Sequence, residues 1–199
     1  MKVELENVKP MEIEKRSFEI ITEELGDTPL IPGTELIVKR CIHTSADFDY
    51  AKNLCFSEGA VEMAMDAIRN GACIVTDTQM QRPGSTSVHL PATAVRLTAS
   101  CPMRMWLPCK KERDYQSHSQ HGQGAEMDKK LIFAIGNAPT ALVRLYELIE
   151  NGKLSPELII GVPVGFVNVV QSKELIMHAD VPYIVAKGRK VEATSLRAL

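Results

Sequence analysis

The chain has 199 residues, enough for one sizeable core and cramped for two independent ones. Its formal net charge of -2, with 24% charged residues, supplies no basic field of the kind that holds nucleic acid, so no nucleic-acid partner is expected. The five cysteines, Cys41, Cys55, Cys73, Cys101 and Cys109, form no CxxC pair, and their odd number suits reduced thiols better than a disulfide framework or a structural zinc site.

Residues 1–16 are charged and lack an apolar signal core, and no later run approaches ~18 uninterrupted apolar residues. A soluble, cytoplasmic protein without membrane association is therefore expected. Residues 10–25 are predicted as a helix, with Ile13, Ile21 and Leu25 on one line and Phe18 beside it. Ser17 takes the remaining place on that line, where it can bond back to its own helix or turn a hydroxyl into a pocket.

After a connection rich in Gly and Pro, Leu36, Ile37, Val38, Cys41 and Ile42 form a branched apolar run that reads as a strand ending on His43. Thr44, Ser45 and Asp47 could each cap the segment that follows. A histidine at a strand end beside a helix start sits where open α/β sheets bind ligands, and imidazole is the side chain best able to move a proton near neutral pH. The same residues also fit a partly buried histidine bonded to nearby backbone.

Residues 46–55 read as a short helix, and Ser57-Glu58-Gly59 leads into another whose buried face is Val61, Ala64, Met65 and Ile68. Gly71 is placed to end it. Residues 72–75 read as a strand closing on Thr76 and Asp77, and 131–136 as a strand followed by a helix burying Leu142, Leu145, Leu148 and Ile149. Asn137 is the expected N-cap and Pro139 fits the first turn, which would leave free backbone N–H groups for a carboxylate or phosphate, or simply an ordinary capped helix. Strands at 158–164 and 182–186, with a helix through 173–178 between them, complete the pattern. At least five apolar runs alternating with helices predict a single α/β domain: a mainly parallel sheet with helices on both faces, in three αβα layers.

Residues 79–124 break this pattern, with Arg82-Pro83-Gly84, Pro91, Pro102, Pro108 and the polar run DYQSHSQHGQG. His118 and His121 have no acidic or cysteine partner at a familiar metal spacing, so they read as loop residues and no metal is expected.

Five stretches, taken together, resemble the precorrin-8X methylmutase (cobalt-precorrin-8 methylmutase) family of cobalamin biosynthesis. They are RSFEII at 16–21, KRCIHTSADFDYAKNLCFSEGAVE at 39–62, IVTDTQM at 74–80, AIGNAPTAL at 134–142, and GVPVGFV with the later SK at 161–173. The resemblance implies an α/β homodimer that moves a methyl group between adjacent carbons of a corrinoid ring, with no cofactor and a small-molecule corrinoid as substrate. By resemblance His43 is the catalytic residue, giving a proton or a hydrogen bond to the macrocycle. Ser17, Arg40, Thr44, Thr76, Asp77, Asn137, Thr140 and Phe166 are the substrate-binding residues it implies.

The chain departs from the family pattern in an atypical segment, 81–124, and an atypical tail, 191–199, inside what is otherwise one methylmutase-like domain over 1–199. Read in a shifted frame, the codons for Pro102 through Leu107 permit SDADVA, and those after Lys190 permit GGSNVAA, both family-like words. Local frameshifts are the reading this suggests, and the nucleotide sequence around Met103 and Trp106 tests it. As printed, the chain lacks the glycine-rich tail and a substrate-facing arginine, a role that Arg104 and Arg113 do not inherit. The competing function is a non-catalytic protein that binds a corrinoid or another polycarboxylate. A nucleotide-binding domain ranks last, since neither GxGxxG nor GxxxxGK[ST] occurs.

Overall fold

The structure, a computed structural model, describes residues 9–77 and 130–189. Segment 81–124, with His118 and His121, and the tail 191–199 lie outside the described residues, as do Cys101 and Cys109.

A short 3-10 turn, Pro10–Glu12, leads into α1, Ile13–Leu25. Then follow α2, Glu35–Ser45, α3, Tyr50–Asn53, β1, Leu54–Phe56, α4, Ala60–Arg69, and β2, Cys73–Thr76. The second described stretch holds β3, Leu131–Ile135, α5, Pro139–Glu150, β4, Leu158–Gly161, α6, Val169–His178, and β5, Tyr183–Ala186. The five strands form one sheet in the order β1-β5-β4-β3-β2. All neighbours run parallel except β1, which pairs antiparallel with β5 through Leu54 opposite Ala186.

Strand alternation divides the core in two. Ile132 and Ala134 of β3 point to the side covered by α1, α2 and α4, where they meet Ile21, Val38, Ile42 and Ala67. Leu131, Phe133 and Ile135 point to the other side, against Leu142 and Leu145 of α5 and Ile176 of α6. Every residue of β3 is buried, as a central parallel strand sandwiched between helices requires. Burying each large aliphatic side chain contributes about 1.5–3 kcal/mol, so both helical layers are held mainly by these contacts. The three-layer αβα arrangement is the one the sequence predicts.

One predicted strand is instead a helix. Residues 36–42 belong to α2, because Val38, Cys41 and Ile42 recur at helical spacing and are buried, while Leu36 is 78% exposed. A strand would have had to bury Leu36 together with Val38. The sheet keeps five strands because Leu54 and Cys55, predicted as the end of a helix, join Phe56 to supply the edge strand.

Smaller corrections follow from the same packing. Met65 is 44% exposed, and α4 buries Ala60 and Ala67 with Ala64 and Ile68 packed beside them. Ile13 is 51% exposed, leaving Ile21 and Leu25 to anchor α1. Neither Thr44, Ser45 nor Asp47 caps α3. Thr44 and Ser45 donate back to the Arg40 and Cys41 carbonyls, and the Ser45 hydroxyl and Asp47 carboxylate accept from the amides of Asp47 and Asp49 to hold the turn.

That turn begins with Ala46 at φ 55, a left-handed conformation that closes α2 through a hydrogen bond from its amide to the Ile42 carbonyl. Such a conformation disfavours any residue with a Cβ. Ala46→Gly is expected to raise stability by about 0.5–1 kcal/mol, read as a higher urea midpoint with an unchanged m-value.

Candidate active site

The carboxyl ends of β2, β3, β4 and β5 define one edge of the sheet, and the antiparallel β1 starts there, since Leu54 lies opposite Ala186. The Lys187 amide donates to the Asn53 carbonyl at 2.8 Å, tying the exit of β5 to α3, which follows α2. Ligands of open parallel sheets bind outside this edge.

His43 lies in the last turn of α2, not at a strand end, and its side chain is exposed. Its ring stacks on Phe18 of α1, with centroids 5.6 Å apart and planes inclined by 25°. Arg40, three residues earlier on α2, places its guanidinium 5.5 Å from the same ring and donates to Glu14 at 2.6 Å. Thus Glu14 and Phe18 on α1 meet Arg40 and His43 on α2, each pair at helical spacing. The Phe18 ring limits how far the imidazole can turn, and aromatic stacking of this kind is worth about 0.5–1.5 kcal/mol. The Glu14–Arg40 pair is half exposed, so it contributes at most about 1 kcal/mol and leaves Arg40 accessible. Ser17, half-buried, is the neighbour of Phe18 on α1, and Thr44 adjoins His43 on α2.

Next to these, Cys41 is fully buried, and burial pushes its thiol up to about 12. A thiol held protonated is a poor nucleophile.

Thr76, Asp77, Asn137, Thr140 and Phe166 lie along the carboxyl edge, but the N-terminus of α5 differs from the predicted arrangement. Ala138, not Asn137, is the N-cap, and no side chain of its own caps the helix, although Pro139 does take the first turn. The cap comes from β2. The Asp77 carboxylate accepts the amides of Gly136 at 2.9 Å, Asn137 at 2.8 Å and Ala138 at 2.7 Å. Those N–H groups are therefore satisfied from within the protein, and the open anion site expected there is already filled by Asp77. Its carboxylate joins the exits of β2 and β3, which fixes the position of the exposed Asn137 and Thr140. Sequence spacing could not reveal this, because Asp77 and Asn137 are sixty residues apart.

At the β4 exit, Gly165 adopts φ 130 and Phe166 follows it with 80% of its surface exposed. Lys173, on α6 after that loop, is 1% exposed and donates its ammonium to the Gly188 carbonyl at 2.8 Å. Burial lowers its pKa to about 8. The native state therefore releases this proton near pH 8, whereas the unfolded chain holds it to about pH 10.4, so stability rises with pH through that window. Relative to Lys173→Met, the unsubstituted chain should gain on the order of 1 kcal/mol between pH ~7 and pH ~10 in urea unfolding.

Among the described residues no cluster of three or more His, Cys, Asp or Glu side chains could hold a metal ion. No described helix is long and apolar enough to cross a membrane.

The comparisons with known proteins agree with one another. A sequence model of the precorrin-8X methylmutase family matches residues 12–194. The chain is 39% identical over 191 residues to a cobalt-precorrin-8 methylmutase from Priestia megaterium, covering 94% of this chain and 84% of that one. It is also 39% identical to the enzyme of that name from Salmonella typhimurium, covering 92% and 88%, and 33% identical to a precorrin-8X methylmutase from Pseudomonas aeruginosa, covering 89% and 86%. A solved precorrin-8X methylmutase from Thermus thermophilus superposes with a TM-score of 0.75 at 34% identity, over 94% of this chain and 92% of that one. Fold and relatives together define an α/β isomerase of the methyl-shifting kind. The chain belongs to the precorrin-8X methylmutase family.

Proposed function

We propose that this protein carries a methyl group between adjacent carbons of a corrinoid precursor, precorrin-8X or its cobalt-containing counterpart, with His43 as the proton donor. The observation that carries the assignment of His43 is its exposed position on α2, with the ring stacked on Phe18 and Arg40 at its side. An internal migration needs no external oxidant or second substrate; it needs a held ring and an acid that balances charge as the bond moves. An exposed imidazole whose ring is held by stacking meets the second need. Arg40, Ser17 and Thr44 beside it, and Thr76, Asn137, Thr140 and Phe166 along the sheet edge, supply the polar and aromatic groups that a ring edged with carboxylates requires. Asp77 acts on the architecture of that edge.

The protein is proposed to work as a cytoplasmic homodimer. Sedimentation equilibrium tests the assembly. Incubating the full chain with precorrin-8X, and separately with cobalt-precorrin-8, and following the visible spectrum tests the activity, because moving the methyl group changes ring conjugation. Conversion of one substrate identifies it; binding of both without conversion favours the binding-protein alternative.

A further inference from the structure

The exits of β4 and β5 form a second group of residues outside the His43 cluster. Phe166 and Val167 are 80% and 77% exposed, unusual for apolar side chains placed together at a sheet edge. The Arg189 guanidinium lies 5.7 Å from the centre of the Phe166 ring, and it makes no ion pair with a carboxylate among the described residues. Both residues are exposed, so the planar guanidinium can present N–H groups to solvent while one face rests on the ring.

Lys173 accounts for the position of this arginine. Burying an ammonium is costly, and here the cost is met by one short hydrogen bond to the carbonyl of Gly188, the residue before Arg189. Gly188 sits at φ 83, a conformation that strongly favours glycine, so the chain turns sharply at the tethered residue and delivers Arg189 towards Phe166. On its other side the same loop is held by the bond from Lys187 to Asn53, which leads back towards the helix carrying His43.

The geometry points to a carboxylate-recognition element: Arg189, stacked on Phe166 and positioned by Lys173, receives a peripheral carboxylate of the substrate, while Phe166 and Val167 take an apolar edge of its ring. This rests on the corrinoid reading above and names further residues for it. Arg189 binds; Lys173 is a positioning residue that acts through Gly188.

Spectrophotometric titration of the full chain with cobyrinic acid, which carries free carboxylates, and with a fully amidated corrinoid tests the element. Arg189→Gln should weaken cobyrinic acid binding about tenfold and leave the amidated ligand within about twofold, as expected for loss of one charge-assisted contact. Lys173→Met should weaken cobyrinic acid binding in the same direction without lowering the urea midpoint at pH ~7, since replacing a buried charge by an apolar side chain is often neutral or stabilising. Arg189→Gln binding the free acid as tightly as the unsubstituted chain, or losing both ligands equally, overturns the element. An unsubstituted chain that binds neither ligand overturns the corrinoid reading and the element with it.

Discussion

His43→Ala is expected to lower the rate of methyl migration by at least about a hundredfold, the lower end of what a positioned acid or base contributes. Corrinoid binding should change by less than about tenfold, because Arg40, Ser17 and Phe18 stay in place on α1 and α2. The two quantities are separable by single-turnover spectra and by equilibrium titration. His43→Asn adds a distinction: it keeps an N–H donor of similar reach but transfers no proton at neutral pH. Substantial recovery of rate in that variant would mean that His43 acts by hydrogen bonding to the macrocycle. No recovery would mean that the proton itself is delivered. Phe18→Leu should cost part of the rate while sparing binding, since it removes the surface on which the imidazole rests. Rates in all three variants equal to the unsubstituted rate would remove His43 from the mechanism.

The largest expected loss of stability is at Asp77. Its carboxylate accepts three amides, from Gly136, Asn137 and Ala138, at the point where β3 turns into α5. Hydrogen bonds to a charged group contribute about 1.5–3 kcal/mol each in favourable cases, and water can replace part of that at a half-exposed site. Asp77→Ala should therefore destabilise the fold by about 2–4 kcal/mol, measured as a lower urea midpoint. Asp77→Asn keeps one carbonyl oxygen and should lose less. A loss below about 1 kcal/mol in Asp77→Ala would show that solvent satisfies these amides and that the β2 exit does not depend on them. Activity should fall with stability here, because Asn137 and Thr140 are placed by the same contact.

The parallel core was legible because its strands are short, apolar on both sides and bounded by polar or glycine residues. Residues 131–136 and 182–186 show this clearly, and both are strands buried between helical layers. The run 36–42 was misread for a definite reason. Its branched residues favour a strand locally, yet α2 has to bury only Val38, Cys41 and Ile42, and tertiary packing overrides the local preference. The same misreading hid the partners of His43. Once 36–45 is helical, Arg40 and His43 share a face, and Phe18 becomes visible as the residue opposite them.

The sequence by itself determined the family and most of the alternation of strands and helices, because ordered motifs and local apolar periods do not depend on distant contacts. Only the tertiary structure decided what Asp77 does, which ring His43 rests on, and how Lys173 holds the loop that carries Arg189. Each of those is a meeting of side chains or amides from separate elements, and the sheet order that brings them together is set by packing across the whole core.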